Sequence, residues 1–261
     1  MLCDYEARYS AILHDSDFLS WRETGARHKA ANIVHVCRGI NVKSAVEIGC
    51  GTGAVLRMLQ SMNFAQEYTC LDIAFSAVQF VRHSPQKFVQ HAVVGPASTL
   101  PFRDSVFDVA ILTHVVEHLD DPASALREAS RVARFVVVEV PTEKVLSNVV
   151  RTKILGRPYA SIAGAGHVQF WSQRSVVKFL EQGCGLRILE RHCDLLSKDS
   201  EYYGKKGLGL AKPFFKGVLK SLLPTTVYSR LLTTHATFLC CRPEARIQLA
   251  NSAIKQDRVS A

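Results

Sequence analysis

The 261-residue sequence has no apolar run approaching the roughly 18 residues of a membrane-spanning helix, which argues against a spanning segment. Its first twenty residues carry Asp4, Glu6, Asp15 and Asp17 and no continuous apolar core, so they do not read as a secretory signal. Internal repeats are absent, and the eight cysteines show no repeated metal-ligand spacing. Cys240 and Cys241 are adjacent while the others stand singly in apolar stretches. Buried free thiols in a reducing cytoplasm account for them better than a disulfide framework or a zinc site. No metal is therefore expected, and the expected location is cytoplasmic. Recognised nucleic-acid modules and aromatic residues interleaved with basic ones are also missing, so the net charge of +9 does not by itself point to RNA or DNA.

With 48% hydrophobic and 21% charged residues, the chain has the composition of an ordinary globular protein with one good core. Tyr5, Tyr9, Ile12 and Leu13 recur at helical spacing within a largely helical N-terminal cap, 1–43. Strands are expected over 43–48, 68–72, 88–94, 106–112 and 135–140. Helices are expected between them over 54–62 and 75–83, and from a cap at Asp121 with Pro122 in the first turn. Alternation of this kind predicts a parallel sheet with right-handed crossovers. Farther on, Ser172 caps a helix ended by Gly183, and strands follow over 186–192 and 235–241. The core thus comprises 44–193 and 235–243, with an insertion over 194–234 and a polar tail over 244–261. Within the insertion, six lysines between Lys198 and Lys220 stand against Asp199 and Glu201. An apolar stripe through Phe214, Phe215, Leu219 and Leu222 lies beside them. The stretch 208–223 could pack as a basic cap helix, cover a lipid-like substrate, or lie peripherally on an anionic membrane.

The most informative segment is Val46-Glu47-Ile48-Gly49-Cys50-Gly51-Thr52-Gly53, a strand running into three glycines, followed nineteen residues later by Asp72. Glycines after a strand let the backbone approach a ligand, and the next helix offers free N–H groups. Gly49, Gly51 and Ala54 satisfy the dinucleotide pattern G-x-G-x-x-[GA], with Asp72 at the distance of a ribose-binding acid. An NAD(P)-dependent oxidoreductase and a methyltransferase both remain open on that match.

Two features, Glu47 inside the strand and the third glycine at Gly53, extend the pattern. With them the chain resembles the class I S-adenosylmethionine-dependent methyltransferases. Leu100-Pro101-Phe102, Phe107-Asp108-Val109, the run His114-Val115-Val116-Glu117-His118-Leu119-Asp120-Asp121-Pro122, and Gly166-His167-Val168 resemble the type 11 small-molecule subfamily. The resemblance implies an α/β Rossmann-like three-layer sandwich whose seven-stranded sheet is mostly parallel, the last strand entering antiparallel. It implies S-adenosyl-L-methionine held by Glu47, Gly49, Cys50, Gly51, Gly53, Asp72, Ile73, Thr113 and His114. The family's adenine-contacting carboxylate before Leu-Pro-Phe is missing from Val94 to Thr99, which leaves Ala97 and Ser98 for that edge. His114 and His167 are candidates for catalysis or substrate contact, and Tyr5, Tyr9 and Trp21 for a lid. The expected reaction is methyl transfer to oxygen or nitrogen of a small or lipid-linked acceptor. An RNA methyltransferase and a non-enzymatic binding protein on the same fold are the other readings, and no obligate protein partner is inferred.

Overall fold

The computed structural model describes residues 5–142, 166–194, 218, 221–224, 227 and 234–243. Most of the 194–234 insertion, including most of 208–223, and the whole of the 244–261 tail lie outside the described residues. Two helices come first, α1 (Tyr5–Ile12) and α2 (Ser16–Val36). Asp15 starts α2 by accepting the backbone N–H groups of Asp17 and Phe18 at 2.8 and 3.1 Å. Ala26, Ala30, Ile33 and Val36, three or four residues apart, are the buried face of that helix.

Strands and helices then alternate: β1 (Ser44–Ile48), α3 (Ala54–Ser61), β2 (Glu67–Asp72), α4 (Phe75–Arg82), β3 (His91–Val94), β4 (Phe107–Thr113), α5 (Pro122–Val132) and β5 (Ala133–Thr142). After them come α6 (Gln173–Lys178), extended by a wider turn over Phe179–Gly183, then β6 (Arg187–Asp194) and β7 (Thr234–Cys241). The sheet has seven strands in the order β3-β2-β1-β4-β5-β7-β6. Neighbours from β3 through β5 pair in parallel, and β7 runs antiparallel to both β5 and β6. This is the expected seven-stranded arrangement, last strand included.

Both faces of the sheet are covered, as a parallel sheet requires. Along β4, Val109 and Ile111 join the core beneath α2, α3 and α4, whereas Ala110 and Leu112 join the one beneath α5 and α6. The period-2 alternation of a strand thus divides one apolar run between two cores.

The third strand is shorter than expected and begins at His91 rather than Phe88. Phe88 is 1% exposed and packs into the α3–α4 core, while Gln90 N–H donates to the Tyr68 carbonyl and its side-chain oxygen accepts Tyr68 N–H. Those contacts set the chain's entry into the ladder one residue after Gln90. The Leu-Pro-Phe element is fastened from α5. Glu128 accepts Leu100 N–H, and the Arg131 guanidinium donates to the carbonyls of Leu100 and Phe102. Asp121 caps α5 by accepting Ser124 N–H at 3.1 Å, with Pro122 in the first turn. Among the described residues no helix is long and apolar enough to cross a membrane.

Candidate functional site

β1 lies between β2 and β4, where the order of strands reverses, and ligands of open α/β sheets bind outside the carboxyl ends at such a point. The glycine turn leaves β1 here. Gly49 and Cys50 both donate to the Leu71 carbonyl at 2.7 and 3.2 Å, tying the turn to the end of β2. Gly51 has φ +53°, and a Cβ on it would fall 2.5 Å from the Tyr9 hydroxyl and 3.2 Å from an Arg22 nitrogen. A Cβ would displace the tips of these two side chains, and the positive φ itself favours glycine.

Asp72, 4% exposed, ends β2 facing the same turn. Its Oδ2 accepts Gly51 N–H at 2.7 Å and its Oδ1 accepts Ala74 N–H at 3.0 Å. Burial raises its pKa, and the two backbone donors with Arg22 act in the opposite direction. Each oxygen keeps a lone pair beyond these bonds, which suits a carboxylate that receives two further hydroxyl donors.

Glu47 is 1% exposed in the middle of the sheet, with Thr113 Oγ1 3.4 Å from Oε1 and no hydrogen-bond partner for Oε2 among the described residues. Burial pushes its pKa up to about 8, against the pull of Arg22 and Lys29. Lys29 is in turn pushed down to about 8, chiefly by burial. Glu47 has a stability consequence. Between the ordinary 4.5 and about 8 the folded chain retains a proton that the unfolded chain has released, so its contribution is complete at low pH and lost as pH rises through 8. Glu47→Gln is expected to flatten the fall in stability over this window, at most about 1.4 kcal/mol per pH unit. Denaturant titrations of both proteins at pH 5 and 8.5 check this; equal pH slopes would contradict it.

His114, just past β4, adopts φ +58°, a conformation uncommon for a side-chain-bearing residue, and its N–H donates to the Glu139 carbonyl. Its Nδ1 lies 2.9 Å from Glu117 Oε1, and its Nε2 lies 3.0 Å from His235 Nδ1 and 3.5 Å from Glu139 Oε1. Both ring nitrogens are thus engaged with protein groups. Buried Glu139 also accepts from Asn32 at 3.1 Å and from Thr237 at 2.6 Å. Burial and then the charge of His114 push His235 down to about 4. Glu139, although buried, is held well below the usual carboxylate range by the two histidines. Glu117 is lowered by His114, whose effect with that of His118 outweighs burial.

The segment carrying His167 folds back onto this corner. Val168 and Gln169 N–H groups donate to the Glu117 carbonyl at 2.8 and 3.0 Å, and the His118 and His167 rings meet edge to face at 4.7 Å. Tyr5 places its ring edge against His118 at 6.2 Å. Tyr9 covers Gly51, whereas Trp21 packs on Phe18 and is 44% exposed. Ile73 is exposed beside Asp72, Ala97 is half-buried and Ser98 is exposed. Two clefts lie elsewhere, one of about 710 Å³ bordered by Leu13, Leu19 and Phe80, the other of about 420 Å³ bordered by His28, His35 and His192. Neither is walled by the carboxyl ends of β1, β2 and β4, where the chemistry-bearing groups converge.

No metal is expected from the sequence; the fold brings together two groups whose donor atoms lie within 4.8 Å of one another: His114, Glu139 and His235, and Glu117, His118 and His167. Arg22, Lys29, Glu139 and His235 were not expected at the site at all. The buried Glu139 in a strand that otherwise reads Val136-Val137-Val138 and Val140 was the one signal available, since an ionised group there needs partners.

Residues 46–135 match the family model described as a methyltransferase domain. Over 95 residues the chain is 30% identical to the malonyl-[acyl-carrier protein] O-methyltransferase of Geobacter sulfurreducens, covering 36% of this chain and 36% of that protein. Over 107 residues it is 34% identical to the chloroplastic tocopherol O-methyltransferase of Arabidopsis thaliana, covering 37% and 30%. The chain therefore spans about a third of the length of these curated relatives. A solved SAM-dependent methyltransferase of Thermotoga maritima superposes with a TM-score of 0.56 at 16% identity, over 88% of this chain and 97% of that one.

Proposed function

We propose that this chain, which shares its fold with solved methyltransferases and matches a methyltransferase-domain model over residues 46–135, transfers a methyl group to an oxygen of a small organic acceptor. The observation that carries this reading is the glycine turn facing buried Asp72, in which Gly51 holds a left-handed φ of +53° and both Asp72 oxygens keep acceptor capacity. These residues fit the cofactor. Asp72 would take the ribose hydroxyls, and the turn with Cys50 and Gly53 would border the methionine end, near Arg22. Bound there, S-adenosylmethionine supplies a methyl group on a cationic sulfur, ready for in-line displacement.

The chain's own part is to position and to exclude water. Val115 packs over Gly49, and Tyr9 closes the turn from the N-terminal side. Thr113 ends β4 and His114 follows it on the acceptor side. His114, with both nitrogens engaged, holds Glu117 and His235 in place, and His167 meets the acceptor. Oxygen is favoured over nitrogen because both curated relatives described above are O-methyltransferases. A lipid-linked acceptor stays within this reading, and any membrane contact would come from 208–223.

Incubation with methyl-labelled S-adenosylmethionine and fractionated small-molecule extract tests the reading. A labelled product heavier by one CH2 unit, whose label is on oxygen, is expected. Absence of transfer to any fraction, with no cofactor bound, would overturn it.

A further inference from the structure

We propose that Glu117, His118 and His167 form a divalent-cation site on the acceptor side of the cleft, and that the ion holds the acceptor's oxygen. The three residues offer one carboxylate oxygen and two imidazole nitrogens within 4.8 Å of one another. Glu117 is 0% exposed, and its Oε2 has no hydrogen-bond partner among the described residues. The other oxygen, Oε1, lies 2.9 Å from His114 Nδ1. A buried carboxylate with Oε2 left over is costly unless a cation or further donor meets it.

The second observation is the setting of His118. Its Nδ1 lies 3.1 Å from the Gly166 carbonyl, a partner that can only accept, so the ring proton sits on Nδ1 and the Nε2 lone pair remains. An imidazole fixed by a carbonyl at one nitrogen and offering the other is how histidine is prepared for a metal ion. His114 bonded to Glu117 plays the corresponding part for the carboxylate. The paired Val168 and Gln169 bonds to the Glu117 carbonyl fasten the segment bearing His167 beside the other two ligands.

His118 and His167 are only half-buried, so an ion on these three ligands keeps coordination positions open to a substrate, as catalytic sites do. Two imidazoles and one carboxylate suit a first-row divalent ion such as Zn²⁺, Fe²⁺ or Co²⁺ better than Ca²⁺. The neighbouring group of His114, Glu139 and His235 is different. There Glu139 Oε2 already accepts from both Asn32 and Thr237, and His114 Nε2 and His235 Nδ1 face each other at 3.0 Å, so the nitrogens an ion would need are turned on one another.

The ion's use rests on the methyl-transfer reading; the ion site itself does not. An acceptor hydroxyl on the ion has its pKa lowered and releases its proton to solvent. The freed oxygen lone pair forms the bond to the methyl carbon as the carbon–sulfur bond breaks, its electron pair returning to sulfur. The site lies close to the cofactor turn, since Val115, two residues before Glu117, packs against Gly49.

Co²⁺ is the probe, because its visible absorption separates nitrogen and oxygen ligation from capture by any of the eight cysteines. Titration of the full chain without cofactor is expected to give one bound ion with d–d bands and no thiolate charge-transfer band. His118→Ala and His167→Ala are each expected to weaken binding tenfold or more with unchanged circular dichroism. Glu117→Gln is expected to do the same, and the two histidine variants decide the matter if it does not fold. No Co²⁺ binding, thiolate bands alone, or binding untouched by both histidine variants would overturn the site. S-adenosylhomocysteine binding, measured on the same protein, separates the two readings. Co²⁺ binding without it keeps the ion site and defeats the methyl-transfer reading. Nucleoside binding without Co²⁺ does the reverse.

Discussion

Asp72→Ala is expected to weaken S-adenosylhomocysteine binding at least about 100-fold, to the edge of detection by calorimetry. The carboxylate is 4% exposed and held by Gly51 N–H and Ala74 N–H, so it is fixed before any ligand arrives. A ribose diol bound to it makes two hydrogen bonds to a charged acceptor, each worth about 1.5–3 kcal/mol when the alternative is a buried unmade bond. Loss of both corresponds to more than two decades of affinity. The substitution also frees the Gly51 and Ala74 N–H groups, so the turn itself loses its anchor. Asp72→Asn, which keeps one carbonyl oxygen as an acceptor, should lie between the two. Affinity for the alanine variant within threefold of wild type would mean that the nucleoside does not sit against β2.

Gly53→Ala is expected to destabilise the fold by about 2–5 kcal/mol, the sum of a backbone and a packing cost. Gly53 has φ +69°, a left-handed conformation costing an alanine about 1–2 kcal/mol. A Cβ there would also lie 2.7 Å from Phe88 Cζ and 3.0 Å from Val81 Cγ2. Phe88 is 1% exposed inside the core under α3 and α4 and has nowhere to retreat, so overpacking adds about 1–3 kcal/mol. Urea denaturation would show the midpoint fall with the slope unchanged. Combining Gly53→Ala with Phe88→Leu removes the ring the new methyl strikes. The double variant should therefore be less destabilised than the sum of the two single ones. Simple additivity would place the whole cost in the backbone.

Much of this was legible in sequence because it is local. The strand, the three glycines and Asp72 lie within 27 residues and are read from periodicity and residue type alone. The caps at Asp121 and Ser172 were legible for the same reason, each needing only a neighbour three residues on. What escaped depends on contacts between distant segments. Arg22 reaches Gly51 from α2, a segment some thirty residues earlier in the chain. His235 reaches His114 because β7 inserts antiparallel beside β5, pairing it with Pro141. Periodicity revealed the seventh strand without revealing which residue it sets against the site. The grouping of Glu117, His118 and His167 was hidden for the same reason. Glu117 and His118 are adjacent in sequence, but His167 lies 49 residues farther on, and close residue spacings pass over it. Phe88 belongs to the same lesson, since its side chain enters the core next to Gly53 while the ladder starts at His91.

The central claim is that the turn from Gly49 to Gly53, facing Asp72, holds S-adenosylmethionine rather than a nicotinamide dinucleotide. Calorimetric titration of the intact chain with S-adenosylhomocysteine and, separately, with NAD⁺ and NADPH tests it most directly. One equivalent of S-adenosylhomocysteine bound with micromolar or tighter affinity, with no saturable heat from either dinucleotide, is the predicted result. Dinucleotide binding tighter than that of S-adenosylhomocysteine, or no binding of S-adenosylhomocysteine at all, would contradict it.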